Sequence, residues 1–215
     1  GVAKTLLVRS IASALDLDSA RIQFTPDLMP GDVTGSMIYN AQTSSFEFRE
    51  GPVFTNILIA DEINRTPPKT QSALLEAMEE RQVSVDGLTR KLDEPFLVAA
   101  TQNPVEYDGT YPLPEAQLDR FLFKLILDLP PRNTEVEILT RHAAGFNAHD
   151  LSRIEPSLSR HTILDASQRA QNVYCAPEVL EYIVDLVQAT RRAPSFALGV
   201  SPRGATRLLA ATRSR

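Results

Sequence analysis

The chain has 215 residues, 43% of them hydrophobic, enough to bury the core of one α/β domain plus a small helical one. Its 22 Lys+Arg are scattered among 27 Asp+Glu for a formal charge of −5, so no broad basic footprint for nucleic acid is visible. The single cysteine, Cys175, excludes an intrachain disulfide and suits a reducing compartment, and no apolar stretch reaches the ~18 residues of a membrane span, which leaves cytoplasmic as the default.

In chain order, residues 4–15 carry Leu6, Leu7, Ile11 and Leu15 at helical spacing. Residues 21–25 alternate apolar and polar before Pro26 and read as a short strand. Residues 27–49 show no helical period but hold two short strands, 36–39 and 45–49, around a turn, which predicts an inserted β-hairpin. Ile57-Leu58-Ile59-Ala60 is a strand buried on both faces, and Thr66 followed by Pro67 predicts a capped helix to about residue 81. Asp86-Gly87 between residues 82–85 and 88–92 signals a second hairpin. Residues 95–101 form another buried strand, residues 115–120 a short helix, and residues 123–129 a strand that Pro130-Pro131 ends. Beyond it the pattern is helical, with helices expected near 134–144, 165–173, 177–191 and 202–213.

The chemistry concentrates at Asp61-Glu62, two carboxylates at the tip of a core strand. Buried charge is costly without compensation, and a bound cation with a water to be deprotonated meets that cost. This is the layout of a Walker B element, with Asp61 toward Mg²⁺ and Glu62 toward the attacking water. A buried strand running into a solvated acidic loop is the plain alternative. Gly1-Val2-Ala3-Lys4-Thr5 fits the end of a phosphate-binding loop opening a helix, with Lys4 on the β and γ phosphates and Thr5 on Mg²⁺. Ala3 stands where that pattern has its last glycine. Phosphoryl transfer needs the two halves in one place, which a parallel sheet provides.

The runs Phe24 to Gly35, Phe48 to Phe54, Ala60 to Glu80, Ala100 to Pro104 and Tyr111 to Phe121 resemble the MoxR family of AAA+ ATPases, in its helix-2-insert group. The resemblance implies an α/β fold: a three-layer α/β/α P-loop core with a parallel sheet and β-hairpin inserts (residues 1–130), then a small α-helical lid (131–215). It implies Gly1, Val2, Ala3, Lys4, Thr5, Asp61 and Arg203 (sensor 2) as nucleotide-binding residues, with Thr5 and Asp61 toward Mg²⁺. It also implies Glu62 as the residue that polarises water, Asn103 as sensor 1, and Arg120 as an arginine finger on the neighbouring subunit's nucleotide. The plain readings beside these are a loop cap for Asn103, an ion pair with Asp119 for Arg120, and a solvated first-turn residue for Arg203. Arg65 points either to a subunit interface or to Glu62.

Further implications are ATP and Mg²⁺ as cofactors, a hexameric homo-oligomeric ring, a client protein, and a partner carrying a von Willebrand factor A domain. The expected role is maturation or metal-cofactor insertion in clients. A magnesium-chelatase-type subunit shares the inserts, and a nucleic-acid motor of the same group is disfavoured because Asn40 and Asp86-Gly87 occupy the hairpin tips. A nucleotide-binding scaffold without turnover is disfavoured by the intact hydrolytic set. His142, His149 and His161 have no metal-site spacing, and Cys175 reads as an ordinary small residue. The start at Gly1 falls after the strand that precedes the phosphate loop, and the lid stops at Arg215, so a fragment with weak nucleotide binding and little hydrolysis is expected.

Overall fold

The computed structural model describes residues 4–102, 109–147 and 150–214. They pack as two compact units, Gly1–Leu113 with Leu125–Arg160, and Pro114–Lys124 with His161–Arg215. The first begins with α1 (Lys4–Ala14), β1 (Ser19–Gln23), a short α2 (Pro30–Thr34), and the strands β2 (Gly35–Asn40), β3 (Ser45–Glu50) and β4 (Ile57–Asp61). A 3-10 turn (Ile63–Arg65), α3 (Pro68–Glu80), β5 (Gln82–Val85), β6 (Leu88–Lys91) and β7 (Leu97–Ala100) follow. Beyond these lie α4 (Glu115–Leu118), α5 (Arg132–Ala143), α6 (Arg160–Gln171), α7 (Pro177–Arg192) and α8 (Pro202–Arg213). No helix among the described residues is long and apolar enough to cross a membrane.

The central sheet is parallel, in the order β1-β4-β7. All five residues of β4 are buried, as an unbroken apolar run in a parallel sheet requires. Leu58 and Ile59 in β4, Ile63 in the turn after it, Leu74 and Leu75 in α3, and Phe24 after β1 are all sealed from solvent. Expectation and structure agree on an α/β parallel sheet with flanking helices and two hairpins. The hairpins are β2–β3 and β5–β6, and the latter turns through Asp86 (φ 49°) and Gly87 (φ 77°), left-handed at both central positions. At Gly35 (φ +94°) a Cβ would collide with the Arg49 carbonyl and the Gly51 amide, so only glycine lets the first hairpin close there.

Three expectations need correction. Residues 30–34 form a helix where no helical period is visible, because one turn is too short to show a period. Thr66 does not cap α3: the helix starts at Pro68 after Pro67, without a side-chain cap. Prolines at that end lack the N–H that would need one. The Thr66 carbonyl instead accepts from Gln71 Nε2, which also donates to the carbonyls of Ile63 and Tyr111. That buried amide locks the elbow that follows Asp61-Glu62 onto α3. Residues 123–129 form no strand, and Leu125, Ile126 and Leu129 are 77–78% exposed. An apolar run becomes a strand only beside a neighbour that takes its backbone groups, and among the described residues the sheet consists of β1, β4 and β7.

Candidate functional site

Because β1, β4 and β7 run parallel, their C-terminal ends open on one edge. Gln23 lies opposite Asp61, the Phe24 N–H donates to the Asp61 carbonyl at 2.8 Å, and the Thr101 N–H donates to the Ala60 carbonyl at 2.9 Å. Three strands separated in sequence thus deliver Gln23, Asp61-Glu62 and Thr101 to one place.

The Asp61 side chain is 6% exposed and surrounded by donors. Thr5 Oγ1, from the first turn of α1, lies 3.1 Å from both of its oxygens. Thr101 Oγ1 donates to Oδ1 at 3.1 Å, and Arg21 Nε donates to Oδ2 at 2.6 Å. A carboxylate in so dry a setting needs this compensation.

Glu62 adopts a left-handed conformation (φ 57°, ψ 47°), which a non-glycine residue keeps only when its surroundings enforce it. Its N–H donates to Thr101 Oγ1 at 3.0 Å, and the Ile63 N–H donates to the Thr101 carbonyl at 3.1 Å. Thr101 therefore fixes the bend that turns Glu62 out of the strand. Glu62 Oε2 accepts from Gln23 Nε2 at 2.8 Å and from Arg65 Nη1 at 3.0 Å. Of the two expectations for Arg65, the pairing with Glu62 is present. Arg21 Nη2 also donates to Gln23 Oε1 at 2.9 Å, so one chain of contacts links Asp61, Arg21, Gln23, Glu62 and Arg65.

Of the residues singled out from sequence, Thr5, Asp61 and Glu62 come together, and Lys4 Nζ reaches the Gln102 carbonyl at the end of β7 (3.3 Å). Gly1, Val2, Ala3, Asn103 and His149 lie outside the described residues. Arg120 and Arg203 belong to the second unit. There Asp119 accepts from Ser201 Oγ at 2.6 Å and has Arg203 Nη1 at 3.9 Å, so its partners include Ser201 and Arg203 at the start of α8. Ser201 also caps α8 by accepting from the Gly204 N–H. Arg21, Gln23 and Thr101 escaped the sequence reading as site residues. The available signal was the pair of polar residues flanking buried Ile22 just before the strand's end.

A group of three or more His, Cys, Asp or Glu able to cage a metal is not found among the described residues. The oxygen ligands that the strand edge offers include the Thr5 hydroxyl and the Asp61 carboxylate, in contact. That sparse oxygen set fits Mg²⁺, which keeps several waters and takes its other ligands from substrate phosphates.

Residues 1–123 match the family model described as "ATPase family associated with various cellular activities (AAA)". The whole chain is 54% identical to the uncharacterized protein YeaC of Bacillus subtilis over 66% of that protein, and 44% identical to Chaperone MoxR1 of Mycobacterium tuberculosis over 58% of it. It is also 30% identical to protein MoxR of Paracoccus denitrificans, covering 69% of it. A crystal structure of a provisionally assigned ATPase from Cytophaga hutchinsonii superposes with a TM-score of 0.86 at 44% identity, over all of this chain and 67% of that one. The chain thus spans just under two thirds of YeaC and less of MoxR1.

Proposed function

Because the chain belongs to the MoxR family of AAA+ ATPases, we propose that it binds ATP with Mg²⁺ at the C-terminal edge of its parallel sheet and hydrolyses it to drive chaperone-like remodelling of client proteins. The observation that carries the reading is the contact of Thr5 with both oxygens of Asp61 across 56 residues of sequence. The contact unites the two halves that phosphoryl transfer requires.

In this reading Thr5 and Asp61 hold the Mg²⁺, which would neutralise charge developing on the phosphates. Lys4, with Gly1, Val2 and Ala3, holds the phosphates themselves. Glu62 orients the attacking water and accepts its proton, and the left-handed turn set by Thr101 aims it away from the strand. Asn103 is assigned to orient that water, Arg203 to the bound nucleotide, and Arg120 to nucleotide on a neighbouring subunit of a cytoplasmic hexameric ring. The ring completes each site with a cation from the next copy, as arginine fingers do.

The finer role is maturation of clients, by metal-cofactor insertion or complex assembly, with a partner bearing a von Willebrand factor A domain. The chaperone name of the Mycobacterium tuberculosis relative supports the remodelling part. Affinity capture with the full chain tests the partner: a von Willebrand A-domain protein should be retained in an ATP-dependent manner, and DNA should not be retained at moderate salt. Salt-sensitive DNA binding without capture of such a protein would replace the remodeller by a nucleic-acid motor.

A further inference from the structure

We propose that Arg21 is a tethered cation that competes with Mg²⁺ for Asp61. The inference rests on the Mg²⁺–nucleotide reading of the site. Arg21 and Gln23 stand two apart on β1 and so share a face, with buried Ile22 directed to the other. Arg21 engages through two different nitrogens, Nε to Asp61 Oδ2 (2.6 Å) and Nη2 to Gln23 Oε1 (2.9 Å). Gln23 spends its other end on Glu62 Oε2 at 2.8 Å.

The two oxygens of a carboxylate offer about four lone-pair directions. Those of Asp61 meet one proton each from the Thr5 hydroxyl, 3.1 Å from both oxygens, the Thr101 hydroxyl and the Arg21 Nε–H. A metal-bound water, or the metal, therefore approaches a carboxylate that already carries a cation on Oδ2. The hydroxyls are neutral and Thr5 is itself assigned to the metal, whereas a guanidinium repels a divalent cation. Arg21 is the group to leave. Its side chain is 51% exposed, so it can move into water at small cost, while Asp61, at 6%, stays compensated by exchanging one cation for another.

Withdrawal of Arg21 removes the donor on the Gln23 carbonyl and leaves the Gln23 amide on Glu62 in place. Arg21 is a positioning residue in this scheme.

The test uses the full chain, with Mn²⁺ standing in for Mg²⁺ and ADP as the nucleotide. Binding of Mn²⁺ in the presence of ADP is followed by electron paramagnetic resonance for wild type, Arg21→Gln and Arg21→Lys. Arg21→Gln is expected to tighten Mn²⁺ by about tenfold or more, as loss of one nearby positive charge implies. ADP affinity in EDTA should stay unchanged, and Arg21→Lys, which keeps the charge, should stay close to wild type. Unchanged or weaker Mn²⁺ affinity in Arg21→Gln overturns the competition, and so does equal tightening in Arg21→Lys. A wild-type chain that takes up no Mn²⁺ with ADP overturns the nucleotide-site reading itself, and this inference with it. The Arg21 Nε–H resonance of the wild-type chain provides a readout that needs no variant. It should move to the position of a solvated arginine when Mg²⁺ and ADP are added together, and a resonance that stays in place contradicts the exchange.

Discussion

Replacing Glu62 by Gln should lower ATP turnover by about 10²–10⁴-fold, the range over which a positioned general base acts. Bound ATP should be retained and rings favoured. The amide keeps an oxygen that can still accept from Gln23 and Arg65, so the left-handed turn and its anchors survive. What disappears is the negative charge that takes a proton from water. Steady-state phosphate release, paired with a filter assay for retained nucleotide, separates the two effects. Turnover equal to wild type would remove Glu62 from the chemistry.

A second large effect is expected at Lys4. Its Nζ is in an exposed contact with the Gln102 carbonyl, which contributes little to folding. Lys4→Ala should therefore leave thermal unfolding nearly unchanged. Nucleotide affinity should weaken by about 10–100-fold, the value of one or two charge-assisted hydrogen bonds to phosphate. Fluorescent-nucleotide titration beside a melting curve gives both quantities. A destabilised protein with unaltered affinity would make Lys4 a structural residue.

Asp61-Glu62 was legible as a candidate site because its physical signature is local: four buried apolar residues followed at once by two carboxylates. The β5–β6 hairpin was legible for the same reason, since Asp86-Gly87 demands left-handed backbone within two residues. Arg21 and Gln23 were not legible as site residues, because alternation around Ile22 describes any half-buried strand. Their meaning depends on the register that sets Gln23 against Asp61, a long-range pairing absent from the local pattern. Thr101 was hidden similarly: it acts only through its position beside the β4 tip. Residues 123–129 failed in the opposite direction, since their apolar run resembles a strand although no described neighbour pairs with it. The sheet's C-terminal edge could thus be located from sequence, while the contacts that tune its carboxylates required the fold.

The central claim is that Thr5 and Asp61 act as one Mg²⁺–nucleotide site, and a double-mutant cycle measures that directly. Mg²⁺-dependent ADP affinity would be determined for wild type, Thr5→Ala, Asp61→Asn and the double variant. Residues sharing one metal should be strongly non-additive, with a coupling of about 1 kcal/mol or more. Each single variant should then cost almost as much as both together. Additive losses, or affinities indifferent to Mg²⁺ in all four proteins, would contradict the account.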